Sequence, residues 1–106
     1  MTVKTTLDKK LILHLLEEHA EKIKEFGVVK LGLFGSVVRG EETAESDVDI
    51  LVDFEQGKKN YDNFINLVFL LEDLFQEKVD LVTRAALSDR MKACIEKEIE
   101  YVSFDS

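Results

Sequence analysis

Two short segments of this 106-residue sequence carry side chains that could do chemistry together. The first is Gly35-Ser36, and the second, Asp47-Val48-Asp49, begins after ten intervening residues. A glycine lets the backbone approach an anion closely because it has no Cβ, and the serine adds a hydroxyl. Two carboxylates at i and i+2 of a strand point the same way, about 6.5–7 Å apart along the chain. Together these parts could hold a nucleotide triphosphate and its Mg²⁺, which typically binds one or two carboxylates plus substrate phosphates.

Two further side chains are predicted to join this site. Arg39 follows the Gly-Ser turn and could reach a phosphate oxygen with its fork of donors. Asp80 is the only charge within the apolar segment 79–82, and a charge inside such a strand is costly to bury without a partner. If this strand lies beside the one that carries Asp49, Asp80 completes a carboxylate triad of the kind that two-metal sites use. Asp53 is about 13 Å from Asp49 on the same face, and we interpret it as a solvated charge.

Each of these elements also has an interpretation without chemistry. Asp47 and Asp49 could form the exposed face of an amphipathic strand. The Gly35-Ser36 pair could be an ordinary turn, and Asp80 could pair with a nearby lysine. No single element is specific, but the combination at this spacing, with a strand on each side, favours a catalytic site.

The hydrophobic pattern of the chain indicates the elements that must position these residues. Apolar residues recur at helical spacing in three segments, and three strand-like segments lie between them. One strand leads directly into the Gly-Ser turn, a second alternates and carries the acid pair, and a third contains Asp80. The predicted order is αβ(α)βαβα, an α/β (α+β) fold with helices packed on a small sheet. The helical patterns cover 7–26, 64–75 and 87–99, the strands cover 28–34, 47–54 and 78–82, and residues 37–46 are expected to form a short helical turn and a loop.

Length and composition favour a single folded domain that spans residues 1–106. Apolar residues make up 45% of the sequence, which suits a globular protein. No apolar run reaches the length of a membrane span, and the first residues lack the apolar core of a signal peptide, so we expect a cytoplasmic protein without a membrane partner. The net charge of −8 disfavours broad binding to DNA or RNA, because a phosphate backbone would be repelled.

The cysteine and histidine content predicts no structural zinc site. The only cysteine, Cys94, lies in a helical pattern with Met91 and Ile95, and we interpret it as a small core side chain rather than a nucleophile. The two histidines, His14 and His19, both lie in the first helix pattern.

The pattern Gly-Ser-x10-Asp-x-Asp, with Arg39-Gly40 inside it and Asp80 after a helix, resembles the DNA polymerase beta-like nucleotidyltransferase superfamily. Small size and the lack of an evident second domain make the chain similar to the minimal nucleotidyltransferases of prokaryotes, the MntA-type antitoxins paired with HEPN-domain toxins. The resemblance covers nearly the whole chain. One departure is Val37, where many relatives carry a basic or aromatic residue, and it leaves more of the nucleotide binding to Arg39.

The resemblance implies a mixed-sheet nucleotidyltransferase fold in which Asp47, Asp49 and Asp80 bind Mg²⁺, with two ions in the site. It also implies transfer of AMP from ATP to a tyrosine hydroxyl of a cognate HEPN RNase toxin, encoded by an adjacent gene, which silences the toxin. On this interpretation Asp47 and Asp49 hold both metals, Asp80 helps to activate the attacking hydroxyl, and Ser36 grips the triphosphate. In-line displacement at the α-phosphate then releases pyrophosphate.

The acidic balance distinguishes among members of the superfamily. Polymerases and tRNA-end-adding enzymes need a basic track for nucleic acid, whereas a protein acceptor with a basic surface would complement a charge of −8. Two other functions stay open. The chain could be a non-catalytic antitoxin that masks the toxin by binding, or a nucleotidyltransferase that acts on a small hydroxylated molecule. Protection of cells by a triple Asp→Asn variant would favour masking, and the lack of a toxin-like neighbouring gene would favour a small acceptor.

Overall fold

A four-stranded sheet and its flanking helices make up the described part of the chain. The computed structural model describes residues 8–41 and 47–104. Asp8 caps the first helix, because its Oδ1 accepts a hydrogen bond of 2.8 Å from the N–H of Leu11. The elements are α1 (Lys9–Glu18), α2 (Ala20–Lys24), β1 (Val28–Phe34), α3 (Ser36–Arg39), β2 (Val48–Phe54), α4 (Tyr61–Phe75), β3 (Val79–Thr83), a 3₁₀ turn (Arg84–Ala86), α5 (Asp89–Glu96) and β4 (Glu100–Ser103).

The sheet has the strand order β3-β2-β1-β4 and is mixed. Strand β1 is antiparallel to both β2 and β4, whereas β2 and β3 are parallel. The long helix α4 is the connection that parallel strands require, because it returns the chain from the end of β2 to the start of β3. The predicted mixed α/β fold is thereby confirmed, and the parallel β2–β3 pair is the feature that matters for the site.

The predicted order αβ(α)βαβα omits one strand and one helix break. Strand β4 has only four residues, two of them charged or polar, which is too short for a period-2 pattern to stand out. It forms because β1 offers a free edge, on which Gly32 pairs with Tyr101. The first helix is interrupted at His19, where the backbone leaves helical geometry, and the last helix ends at Glu96 rather than continuing to Ile99.

The two faces of the sheet are covered to different extents. One face packs on α1, α2 and α4 and forms the larger apolar core, with Ile12, Leu16, Ile23, Leu31, Leu33, Ile50, Val52, Leu67 and Leu71 at its centre. The other face carries a smaller cluster beneath α5, in which Leu51 contacts Leu87 and Ile95. Since α5 covers only part of this second face, the acidic side chains that project from it stay accessible. No helix in the described ranges has the length and apolar character that a membrane span requires.

Candidate active site

The parallel pairing of β2 and β3 brings two of the predicted acids together. Asp49 is the register partner of Asp80, so the two carboxylates project side by side from the face that carries α5. Asp47 immediately precedes β2 and is exposed, as is Asp80, while Asp49 is partly buried. The register thus pairs Asp49 with Asp80, and the shared role of the three acids stays a prediction.

The charge of Asp49 is not balanced by a directly paired cation. Within the described residues no lysine or arginine forms an ion pair with Asp49 or Asp80. Burial raises the pKa of Asp49 to about 6, and the negative charges of Asp80 and Asp47 act in the same direction. Arg39 opposes this rise in pKa only from a distance. Among residues 8–41 and 47–104, Asp80 therefore pairs with no lysine.

Gly35 lies directly against the Asp49 side chain. Its φ of 83° and ψ of −154° lie in a region that is essentially restricted to glycine. A Cβ at this position would collide with the Asp49 carboxylate. This contact with Asp49 gives a packing reason for the glycine, and the close approach of a phosphate stays a prediction. The turn lies directly against the acid pair.

Ser36 and Arg39 are the first and last residues of α3, the short helix that follows this turn. Ser36 is partly exposed, and Gly40 ends the helix in the left-handed conformation with a φ of 72°. The Arg39 side chain is 48% exposed and lies between two carboxylates. Its Nε donates to Glu41 at 2.9 Å, and the resulting hydrogen bond is the largest cause of a raised Arg39 pKa.

Glu98 is a member of this site that the sequence did not reveal. Its Oε2 accepts a hydrogen bond of 2.6 Å from the N–H of Gly35, and its two carboxylate oxygens lie 3.0 and 3.2 Å from Nη1 of Arg39. Glu98 stands in an acidic stretch with Glu96 and Glu100, and no local pattern separates it from those two residues. Only the tertiary contact, across 63 residues of chain, distinguishes it.

A cavity of about 330 Å³ opens beside the Gly35 turn, between the end of β1, Arg39 and α5. Its walls include Phe34 and Met91, and Cys94 also lines it. Cys94 is exposed, so its predicted place in the core is wrong. The helical pattern was correct, but α5 is short and packs on the sheet through Ile95, which leaves the adjacent side chain outside the cluster.

Asp53 was interpreted as a solvated charge, and the structure corrects this. Its two carboxylate oxygens accept hydrogen bonds of 2.9 and 3.1 Å from Nε and Nη2 of Arg84. Arg84 in turn donates to the hydroxyl of Tyr101 at 2.9 Å. The Nζ atom of Lys30 lies over the Tyr101 ring, 4.2 Å from its centroid. Asp53 is therefore part of a separate ion-paired cluster on the same face of the sheet.

The acidic donors of the site fit a divalent cation. Among residues 8–41 and 47–104, no three acidic, histidine or cysteine side chains are grouped closely enough to hold a metal alone. Mg²⁺ commonly completes its shell with water and substrate phosphates and needs only one or two carboxylates. Asp49 and Asp80 offer hard oxygen ligands, and a cation bound to them would oppose the rise in the pKa of Asp49 that burial and the neighbouring acids cause. The roles of Asp47, Asp49 and Asp80 as metal ligands stay a prediction.

Fold and site together define a nucleotide-transferring class of protein, and comparison with known families agrees. The nucleotidyltransferase domain family matches residues 16–102, so the chain belongs to this family and is a nucleotidyltransferase. The predicted resemblance and the predicted enzyme class are both confirmed.

Relatives of this chain include proteins named as protein adenylyltransferases. The protein adenylyltransferase MntA of Thermococcus cleftensis is 43% identical over 89 residues, which span 83% of this chain and 89% of that protein. A Methanocaldococcus jannaschii protein, provisionally named as a protein adenylyltransferase, is 35% identical over 94 residues, or 86% and 94% of the two chains. A solved structure, provisionally described as a minimal nucleotidyltransferase, matches with a TM-score of 0.70 at 31% identity, covering 91% of this chain and 97% of that one. The toxin-antitoxin MntA-HpeT shares the fold, with a TM-score of 0.60 at 20% identity over 90% and 72% of the chains.

Proposed function

We propose that this chain is an antitoxin that transfers AMP from ATP to a hydroxyl group of its cognate toxin and thereby silences it. The observation that carries the proposal is the placement of Asp49 beside Asp80 and directly against the Gly35 turn. The likeness to the Thermococcus cleftensis MntA, a protein adenylyltransferase, supports AMP as the transferred group and a protein as the acceptor.

The positions of the side chains support the following roles. Asp47 and Asp49 would hold Mg²⁺, which would polarise the α-phosphate and offset charge on the leaving pyrophosphate. The hydroxyl of Ser36 and the guanidinium of Arg39 bind the phosphates from the α3 side. The acceptor oxygen forms a bond to the α-phosphorus while the bond to pyrophosphate breaks. The hydroxyl proton passes to Asp80 and then to solvent.

The exposure of the acids supports a large acceptor. Asp80 and Asp47 are both exposed, so a side chain on the surface of another protein could reach the reacting phosphorus. We propose that the acceptor is a tyrosine hydroxyl of a HEPN-domain RNase toxin encoded by an adjacent gene. A basic surface on such a toxin would complement the net charge of −8. We further propose that the reaction takes place in the cytoplasm, where ATP and Mg²⁺ are available.

The test is transfer of label from α-labelled ATP to the purified product of the neighbouring gene, with Mg²⁺ present. Wild-type protein should label the partner and add the mass of one AMP, and chelation of Mg²⁺ should abolish the reaction. Asp49→Asn should lose the transfer. Asp53→Asn is the matched control, because it makes the same change on the same strand face in an ion-paired aspartate.

Two outcomes would contradict the proposal. Absence of label on a folded, active partner would exclude this acceptor, and undiminished label with Asp49→Asn would trace the activity to a contaminant. If Asp49→Asn lost transfer but still protected cells from the toxin, masking by binding would be the better account.

A further inference from the structure

We propose that Glu98 is a positioning residue that holds Arg39 and the Gly35 turn in register for the phosphates of the nucleotide. The inference rests on the proposed function, and it concerns a residue outside the Gly-Ser-x10-Asp-x-Asp pattern. Its basis is that one carboxylate joins both parts of the anion-binding side of the site. Glu98 accepts from the Gly35 N–H at 2.6 Å and lies 3.0 Å from Nη1 of Arg39.

The backbone that carries Glu98 is itself held in place. The N–H groups of Glu98 and Ile99 both donate to the carbonyl of Ile95, at 3.0 and 2.9 Å, so this segment is tied to the end of α5. Ile99 packs into the cluster beneath α5 and lies so close to Gly32 that a Cβ there would collide with it. The Glu98 side chain is only 21% exposed. The Glu98 carboxylate therefore contacts the Gly35 turn from a restrained segment of backbone.

The hydrogen bonds of Arg39 suggest that Glu98 orients the guanidinium for a phosphate. A guanidinium has five N–H donors in a planar fork. Nε of Arg39 donates to Glu41 and Nη1 donates to Glu98, which restrains the plane from two sides. Within the described residues Nη2 donates to no protein acceptor, and the side chain is 48% exposed. Among the described residues, Nη2 is therefore the donor of this restrained fork that is left for a phosphate oxygen.

Glu98 also restricts which donors remain for that phosphate. The Glu98 carboxylate already accepts the one hydrogen bond that the Gly35 N–H can donate. An incoming phosphate therefore meets the Ser36 hydroxyl and Nη2 of Arg39 instead. The opposite role on the same contacts is that Glu98 competes with phosphate and must be displaced. The two roles predict opposite changes in nucleotide affinity when the negative charge is removed.

The experiment compares Glu98→Gln with Glu96→Gln, which makes the same charge change two residues earlier on an exposed side chain. Glutamine keeps an oxygen that can accept from Gly35 but loses the charge that holds Arg39. The dissociation constant of a non-hydrolysable ATP analogue with Mg²⁺ and the KM for ATP should both rise about tenfold in Glu98→Gln, with kcat changed less than threefold. Glu96→Gln should stay within about twofold of wild type.

A double-variant cycle with Arg39→Ala separates positioning from general stability. Arg39→Ala should weaken analogue binding by itself, and adding Glu98→Gln should weaken it little further, because Glu98 acts through Arg39. Unchanged or tighter binding in Glu98→Gln, or additive losses in the double variant, would overturn the inference. Wild-type protein that binds the analogue but labels no acceptor would contradict the proposed function alone. Equal binding by wild type and Glu98→Gln would contradict only the role of Glu98.

Discussion

Asp49 and Asp53 lie on the same strand and project from the same face, yet their surroundings are opposite. Asp53 meets Arg84 through two hydrogen bonds of 2.9 and 3.1 Å. Asp49 meets other carboxylates, and burial together with Asp80 and Asp47 raises its pKa to about 6. Asp53 is compensated by a cation of the same chain, whereas Asp49 forms no ion pair within the described residues.

The surroundings of a carboxylate distinguish one that stabilises the fold from one whose charge indicates a binding or catalytic role. Clustered acids without a paired cation cost stability, because like charges oppose ionisation in a partly buried place. Such a cost is common where binding or catalysis needs the groups. The Asp53–Arg84 pair, which is partly exposed on both sides, contributes modestly to stability and gives no comparable indication of function. The following predictions test this contrast.

The largest expected effect is on transfer activity. On the proposal that this carboxylate holds the catalytic metal, Asp49→Asn should lower the rate of AMP transfer by about 10³-fold, because several kcal/mol of transition-state stabilisation would be lost. Asp53→Asn should stay within about threefold of wild type. The measurement is the initial rate of label transfer at saturating ATP and Mg²⁺. Equal losses in the two variants would remove the distinction between the two aspartates.

The second effect tests the contact between Gly35 and Asp49. Gly35→Ala should displace the carboxylate, lower transfer by about 100-fold and reduce the free energy of unfolding by about 1–3 kcal/mol. Gly57→Ala is the matched control, because Gly57 has a similar φ of 84° but open space where its Cβ would lie. It should cost about 1–2 kcal/mol of stability and leave transfer intact. Wild-type transfer by Gly35→Ala would contradict the close packing against Asp49.

The third effect is a gain of stability on removal of the Asp49 charge. The native state binds the Asp49 proton more tightly than the unfolded chain does, so the contribution of Asp49 to the free energy of unfolding falls as the pH rises from about 4 to about 6. Asn has no charge to bury. Asp49→Asn should therefore be about 1 kcal/mol more stable than wild type at pH 7, after allowance for solvent screening, and this advantage should shrink towards pH 4.

Asp53→Asn should do the opposite at pH 7 and lose up to about 1 kcal/mol, because Arg84 loses its charged partner. Urea unfolding in metal-free buffer at pH 4 and pH 7 would measure both changes. A stability difference between Asp49→Asn and wild type that did not vary with pH would argue against the raised pKa.

The smallest effect is expected at Tyr101, at the edge of the ion-paired cluster that contains Asp53 and Arg84. Tyr101→Phe removes the hydroxyl that accepts a hydrogen bond from Arg84 at 2.9 Å, but keeps the ring beside Lys30. At a side chain that is 40% exposed, the loss should be about 0.5 kcal/mol of unfolding free energy, with transfer unchanged. Urea unfolding and the label-transfer assay measure the two parts. A loss of transfer would show that the two clusters on this face are coupled.

Much of the fold and part of the site could be predicted from local patterns. The period of two in residues 47–54 placed Asp47 and Asp49 on one face, and strand β1 was predicted with the bounds that it has, Val28–Phe34. Strand β4 was missed, because four residues carry too little pattern and form a strand only by pairing with β1. Cys94 was misplaced, because helical spacing does not say how much of a short helix a sheet will cover.

The chemistry of this chain is readable from its order of residues, because turn and strand geometry are local and bring Gly35-Ser36 and the Asp-x-Asp pair into known relations. Local geometry does not determine which partner lies beside each acid. The parallel register that pairs Asp49 with Asp80, and the 63-residue contact of Glu98 with Gly35, exist only once strands and helices have packed. Charge compensation depends on such distant neighbours. For that reason two similar aspartates on one strand have different surroundings in the folded protein.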